Sequence, residues 1–142
     1  MEILITLGLL VIVGSTVSFL SINTFRGDSF RSEIDAIGTA LQNARANSLN
    51  NLNQKRHGVA FNPGGARGYV IYEGVDYANR DTTKDINIES TYDVTFDVSA
   101  PTEVAFDQLS GNANYSGDIK ILDPNRGLTL LISINHEGKI SW

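Results

Sequence analysis

Residues 1–26 read MEILITLGLLVIVGSTVSFLSINTFR, and no charged side chain occurs between Glu2 and Arg26. Of the 23 residues from 3 to 25, 14 are Leu, Ile, Val or Phe, and the stretch 3–13 has no polar side. As an α-helix this run would reach roughly 34 Å, enough to cross a hydrocarbon core of about 30 Å. We therefore predict one N-terminal membrane-spanning helix, with the rest of the chain outside the bilayer.

Two other interpretations of the run are weaker. A buried helix of a soluble domain does not fit, because the apolar residues from 3 to 13 show no polar face. A cleaved secretory signal needs a basic start and a small-residue cleavage site, but no Lys or Arg precedes Arg26 and residues 14–18 make a poor cleavage site. The Gly, Ser and Thr residues within the run instead favour close packing of the helix against copies of itself.

The composition predicts one small domain beyond this helix. About 117 residues remain, which is typical of a single domain. The chain contains 0 cysteines, which excludes disulfides and thiolate metal sites. It carries 11 basic and 16 acidic residues, a net charge of −5, and without Glu2 the balance is 11 to 15, or −4. A negative domain argues against a general nucleic-acid binder, which presents a basic face.

The next segment has helical periodicity. Residues on one side of the predicted helix recur at intervals of three or four: Phe30, Ile34, Ile37, Leu41, Ala44, Ser48 and Leu52. Gly27 marks a joint before this segment, and the asparagine cluster at 50–53 marks its end. We predict a transmembrane and assembly helix over 1–27 and a globular domain over 28–142, which begins with an amphipathic helix over 28–53.

From His57 the apolar period changes to two, so we predict a β region over 57–142. The clearest strand covers residues 92–98, where Tyr92, Val94, Phe96 and Val98 alternate with polar residues. Further strands are predicted over 57–61, 69–73, 85–90, 103–107, 118–122, 128–134 and 139–142, separated by Gly-, Pro- and Asn-rich turns. The predicted fold is α+β, with the long N-terminal helix packed on an antiparallel sheet or β-sandwich.

A glutamate that opens an apolar helix, followed by an amphipathic helix and antiparallel strands, resembles the type IV pilin-like proteins. The N-terminal motif of that family runs Phe-(Thr/Ser)-Leu-(Ile/Leu)-Glu and continues into an apolar stretch. Residues 1–13 are similar to its second part, and Glu2 falls on the motif glutamate. Because the leading motif residues and the basic leader are absent, we expect either a reading frame that begins upstream of Met1 or a trimmed chain.

Five later stretches resemble the GspH/FimT group of minor pseudopilins and occur in the same order. Residues 41–48 are similar to the L-x-x-A-R-x-x-A stretch that closes the helix, and 57–61 with 68–72 resemble the first hairpin. Residues 103–111 resemble the I-x-F-x-x-x-G strand, and 132–140 the final I-x-V-x-x-x-G-R-I hairpin. Together these stretches cover most of the chain.

The resemblance implies a minor pilin or pseudopilin of a type II secretion system or type IV pilus, and not an enzyme. In this family a prepilin peptidase cleaves before the N-terminal Phe, the new amine is methylated, and the apolar helices pack side by side in a filament. Glu2 would then pair with the N-terminal amine of a neighbouring subunit. The implied location is the bacterial inner membrane, crossed once, with a periplasmic globular domain that meets other pilins and an inner-membrane assembly platform.

A DNA-binding minor pilin acting in DNA uptake is the alternative function, since some pilus members of the group bind DNA. Lys55 and Arg56 form a basic cluster with His57, and we expect Arg67 to lie near it across the first hairpin. The C-terminal residues 139–142 offer one Lys and no arginine pair, so nucleic-acid binding is not the favoured prediction. The position of the cluster at a helix C-terminus explains it equally well.

We predict no catalytic residue, cofactor or metal site. Asp76, Asp81 and Asp85 lie in one polar loop, but their spacing does not match a calcium-binding loop, so a solvated loop is expected. Neither His57 nor His136 lies in a nucleophile or zinc motif. Most aromatic residues are expected in the core, with Trp142 as a candidate contact residue.

Overall fold

The structure, a computed structural model, describes residues 6, 8 and 29–142. Glu2 and most of the predicted membrane helix lie outside the described residues. Among the described residues, no helix combines the length and the apolar character needed to cross a bilayer. The chain divides into two compact units, residues 1–32 and 33–142. Every described residue of the first unit is helical.

In the second unit, helix α1 covers residues 33–49 and ends before the predicted boundary at 53. A turn and a short 3-10 helix, Leu52–Gln54, follow it. Asn51 and Asn53 have φ values of 53° and 54°. This left-handed conformation is one that Asn tolerates better than most residues, and it stops the α-helix. Leu52, predicted as the last member of the apolar stripe, is therefore exposed.

Eight strands follow α1, and they form antiparallel sheets as predicted. Seven of them begin and end within two residues of the predicted strands. Their bounds are β1 His57–Phe61, β2 Tyr69–Glu73, β3 Ile86–Ile88, β4 Thr95–Phe96, β5 Glu103–Phe106, β6 Gly117–Asp123, β7 Leu128–Ile134 and β8 Ile140–Ser141.

The strand predicted over 92–98 is the exception, because β4 contains only Thr95 and Phe96. The Asp97 N–H still donates to the Lys120 carbonyl at 3.0 Å, but the Ala100 N–H donates to the Asp97 carbonyl at 2.8 Å and turns the chain away. Val98 is consequently 101% exposed, so its predicted half-buried position is wrong. Phe96 does face the interior, with its ring 4.9 Å from that of Phe61.

The strands form two four-stranded sheets. The first sheet has the order β3-β2-β1-β5, and the second has the order β4-β6-β7-β8. In the first hairpin, His57 lies opposite Glu73 and Phe61 opposite Tyr69. The longest pairing joins β6 to β7 without interruption, from Gly117 opposite Ile134 to Asp123 opposite Leu128.

One side of α1 packs on both sheets. The Ser48 hydroxyl donates to the Phe106 carbonyl of β5 at 3.1 Å and accepts the His57 N–H of β1 at 2.9 Å. Near the other end of the helix, the Trp142 indole donates to Asp35 at 2.8 Å. The buried side chains between helix and sheets include Ile34, Ile37, Leu41, Ala44, Val59, Val104, Phe106, Ile119, Ile121, Ile132 and Ile134.

The outer face of the first sheet is also covered, so β1 and β2 are buried along their whole length. Small residues, Gly58, Ala60 and Ala105, form a shallow depression on that face. The Tyr72 ring fills it, since a Cβ added to Gly58 would lie 2.5 Å from the Tyr72 hydroxyl. Tyr77, from the segment that returns over the sheet after β2, packs on Ala60, Tyr72 and Ala105.

Candidate functional site

The predicted assembly residue, Glu2, lies outside the described residues. The predicted basic cluster lies where α1 gives way to β1, and its members have different surroundings. Lys55 is exposed. Arg56 places Nη2 2.6 Å from the Asp107 carboxylate, and Asp107 follows β5 directly. His57 is buried. Arg56 is therefore already paired with a carboxylate of the same domain.

Arg67 does not lie near this cluster, contrary to the sequence prediction. It occupies the turn between β1 and β2, whereas Lys55 and Arg56 precede β1 at the opposite end of the hairpin. A five-residue strand separates the two ends by about 17 Å at about 3.3 Å per residue. Arg67 instead lies 3.6 Å from the Asp93 carboxylate. The predicted hairpin of 57–61 and 69–73 already implies this separation, because its turn and its open end lie at opposite ends of the strand.

His57 lies at a buried polar junction between α1, β1 and β2. Its Nε2 is 3.7 Å from the Glu73 carboxylate, which also accepts the Asn53 amide at 2.6 Å. Its Nδ1 has no hydrogen-bond partner among the described residues. Burial lowers the pKa of His57, although the charge of the nearby Glu73 acts in the opposite direction. Burial at this junction therefore favours the neutral form of the imidazole.

The acidic loop after β2 is held by its own hydrogen bonds. The Asp76 carboxylate accepts the Asn79 N–H at 2.8 Å, and Asp85 accepts the Arg80 Nε at 2.8 Å. Asp81 caps a short 3-10 helix by accepting from Thr83, and these hydrogen bonds lower its pKa. No group of three or more His, Cys, Asp or Glu residues that could hold a metal occurs in the described part of the chain.

A second polar network lies on the outer face of the first sheet and was not predicted. Glu103 accepts the Tyr72 hydroxyl at 2.8 Å and the Tyr77 N–H at 2.7 Å. Burial and the Glu103 carboxylate raise the pKa of Tyr72 well above its ordinary range. The guanidinium of Arg80 lies 3.6 Å above the Tyr77 ring. Gly58 and Ala60 are two small residues in one strand, and such a pattern indicates that a large ring packs on that face of the strand.

Open grooves mark the surface of the second unit. One of about 530 Å³ follows the edge of the first sheet and is lined by Pro63, Ala66, Arg67, Gly68, Tyr69, Val70, Tyr77, Asn87, Ile88, Glu89 and Ser90. It contains one cation and one carboxylate, Arg67 and Glu89. Burial and the nearby Glu33 charge raise the pKa of Tyr69 to about 12, so its hydroxyl remains a neutral donor. Another groove, of about 310 Å³, lies between α1 and the C-terminal hairpin.

The main exposed apolar feature is the first half of β7. Residues 128–131 read LTLL and all four are exposed, although they lie within a continuous strand. We call these residues the β7 edge segment. Their cross-strand partners on β6 include Ile121, opposite Leu130, and Lys120, opposite Leu131. Exposed apolar residues at neighbouring positions of one strand are typical of an interaction surface.

Comparison of the chain with protein-family models, with curated proteins and with solved structures gives no match.

Proposed function

We propose that the chain is a minor pilin-like subunit of a bacterial cell-envelope filament, of the GspH/FimT type, which assembles through its apolar N-terminal helix. The observation that carries the proposal is the order of features along the chain. Glu2 precedes 23 uncharged residues, a helix with one apolar side follows, and antiparallel strands complete the chain. The packing of α1 on two antiparallel sheets agrees with the domain that the resemblance implies.

Glu2 is the residue to which we assign the assembly step. A carboxylate at the end of a membrane-spanning segment is costly to remove from water unless a cation accompanies it. The N-terminal amine of a neighbouring subunit is such a cation. Pairing between the two charges would favour insertion of each new helix and would fix its axial position in the filament.

The partners follow from this role. A prepilin peptidase would process the N-terminus, an inner-membrane assembly platform would receive the chain, and other pilins would pack against its helix. The globular domain would project on the periplasmic side of the membrane. Type II secretion and type IV pilus filaments share these steps, and the proposal covers both.

The proposal is tested with Glu2→Ala in a strain that assembles the filament. We expect an unchanged amount of chain in the membrane fraction, because the apolar run remains, and loss of the chain from sheared filaments, because the charge pair is removed. Glu89→Ala is the matched control, since it removes an exposed carboxylate of the globular domain. Normal incorporation of the Glu2→Ala chain would refute the charge pairing.

DNA binding remains the second candidate, but no described contact favours it. Arg56 and Arg67 each lie within 4 Å of a carboxylate, and they occupy opposite ends of the first hairpin. Binding to the phosphate backbone requires several clustered cations that are free to approach it.

A further inference from the structure

The free edge of β7 is unprotected, and this singles it out among the strand edges of the two sheets. On one side, β7 pairs with β6 from Leu128 to Ile134. On the other side, β8 reaches only Ser133 and Ile134. No other strand of the described residues pairs with the remainder, so the β7 edge segment leaves main-chain groups without a ladder partner.

The alternation of the ladder identifies those groups. The Asn135 N–H donates to the Lys139 carbonyl at 3.1 Å, which directs the main-chain groups of residue 135 towards the β8 side. In an uninterrupted antiparallel strand this direction repeats at every second residue. The N–H and carbonyl groups of Leu131 and Thr129 therefore point to the free edge, while those of Leu130 point to β6.

The other edges have the protection that natural sheets normally carry. Charged residues flank β3 (Lys84, Asp85 and Glu89) and β4 (Asp93 and Asp97). β5 is covered by Asn114. The Ala105 N–H donates to the Asn114 side-chain oxygen and the Asn114 N–H donates to the Ala105 carbonyl, each at 2.9 Å. β8 contains two residues only. The β7 edge segment has no charge and no proline, and no described residue covers it. An edge of this kind readily pairs with another strand.

We infer that a second copy of this chain adds its β7 to this edge, antiparallel and around a two-fold axis at Leu130. This register places Thr129 of each copy opposite Leu131 of the other, so that four new main-chain hydrogen bonds satisfy all the free groups. The symmetry makes the edge its own complement, and the contact closes after two copies.

The charge distribution favours a second copy as the occupant. A two-fold axis brings each residue near its own equivalent, so a charged residue beside the axis would face a like charge. No charged residue occurs from Gly127 to Asn135. The exposed cations Lys120, on β6, and Arg126, in the turn before β7, both lie outside the paired segment. The segment therefore approaches its own copy without electrostatic repulsion.

The apolar side chains add burial on both faces of the joined sheet. Leu128 and Leu130 point to the face that carries the buried Ile121, and Leu131 points to the opposite face. A stable interface buries roughly 1,200 Å² or more, and a contact through this short segment buries less. We therefore expect a weak, reversible dimer. This inference does not depend on whether the chain joins a filament.

Disulfide trapping tests the pairing, because the chain contains 0 cysteines. In the inferred register Leu130 faces its own copy as a non-hydrogen-bonded pair, with Cα atoms about 4.5 Å apart, within disulfide range. The full-length chain carrying Leu130→Cys is purified in detergent and oxidised mildly. Val98→Cys and Leu109→Cys are the matched controls, since Leu130 is 37% exposed and these residues are 101% and 65% exposed.

We expect Leu130→Cys to give several-fold more linked dimer than either control, although random collision would favour the more exposed cysteines. Adding Thr129→Pro, which removes an edge-facing N–H and leaves the β6 ladder intact, should reduce the yield to the control level. Adding Thr129→Val, which keeps the N–H, should not. A dimer yield from Leu130→Cys no higher than from the controls would overturn the inference, even if the proline variant fails to fold.

Discussion

His57 shows how a single residue links the helix end to the sheet. Its main-chain N–H binds Ser48 on α1, and its imidazole lies inside the domain beside Glu73. Inside the fold, a protonated imidazole lacks the hydration that it would have in water. The charged form is therefore disfavoured and the pKa of His57 is lowered. The folded state therefore binds a proton at this site less readily than the unfolded chain.

We expect His57 to make the free energy of unfolding dependent on pH. Well above the ordinary histidine pKa of about 6.5, the imidazole is neutral in both states and contributes no pH dependence. As the pH falls below that value, the unfolded chain takes up the proton first, so stability decreases until the lower pKa of the folded state is passed. Denaturant unfolding of the full chain in detergent, at about pH 7 and about pH 5, measures the difference.

The chain offers a matched control, because its 2 histidines differ in burial. His57→Gln should reduce the loss of stability between the two pH values, whereas His136→Gln, at an exposed turn position, should not. Equal pH dependence in the two variants would show that the titration of carboxylates, and not His57, causes the effect.

At the scale of elements, α1 is joined to the C-terminal strand through a close contact. Trp142 follows β8, its indole N–H donates to Asp35, and its ring lies against Gly38 of the helix. A Cβ added to Gly38 would lie 2.6 Å from the ring. Glycine is a weak helix former, so its presence in the middle of α1 is explained by the approach of this ring.

Gly38→Ala should displace Trp142 from the helix while α1 itself remains intact. Alanine favours the helix by about 1 kcal/mol over glycine, but the ring cannot stay where its atoms would overlap the new methyl group. Since the chain has 1 tryptophan, its fluorescence reports this site alone. We expect a red-shifted emission and stronger quenching by acrylamide. Asn43→Ala, at an exposed position of α1, is the control, and an unchanged emission of Gly38→Ala would contradict the contact.

The elements themselves were largely predictable, because they depend on local patterns. The turn sequences around Pro63 and Gly127 fixed the two hairpins to within a residue. Contacts between elements were less predictable. The cover that Tyr77 adds over Ala60 and Tyr72 comes from a polar segment whose path no periodicity indicates. The early end of α1 depends on the left-handed conformation of Asn51.

The basic residues illustrate the same limit for the candidate site. The sequence grouped Lys55, Arg56 and Arg67 by charge, but the antiparallel register separates the first two from the third. Pairing with Asp93 and Asp107 is also invisible in the sequence, since each partner comes from a distant part of the chain. The sign of each charge can be predicted from the sequence, whereas the pairing of opposite charges depends on the fold.

For the whole molecule, the balance of charge disfavours an interaction with DNA. The net charge of −5 repels a polyanion at long range. At short range, two of the three candidate cations already have carboxylates of the same domain beside them. A DNA-binding surface would require these pairs to open and the cations at both ends of the first hairpin to reach one duplex.

We therefore expect the full chain in detergent to bind a short labelled duplex no more tightly than about 10⁻⁴ M at physiological salt, the weak end of non-specific binding. Fluorescence anisotropy at increasing chain concentration measures this. The double variant Asp93→Asn with Asp107→Asn, which frees Arg56 and Arg67, should bind more tightly if the pairs are what restrains them. Tight, salt-sensitive binding by the unmodified chain, lost in Lys55→Glu and kept in Lys120→Glu, would instead establish a nucleic-acid surface at the start of β1.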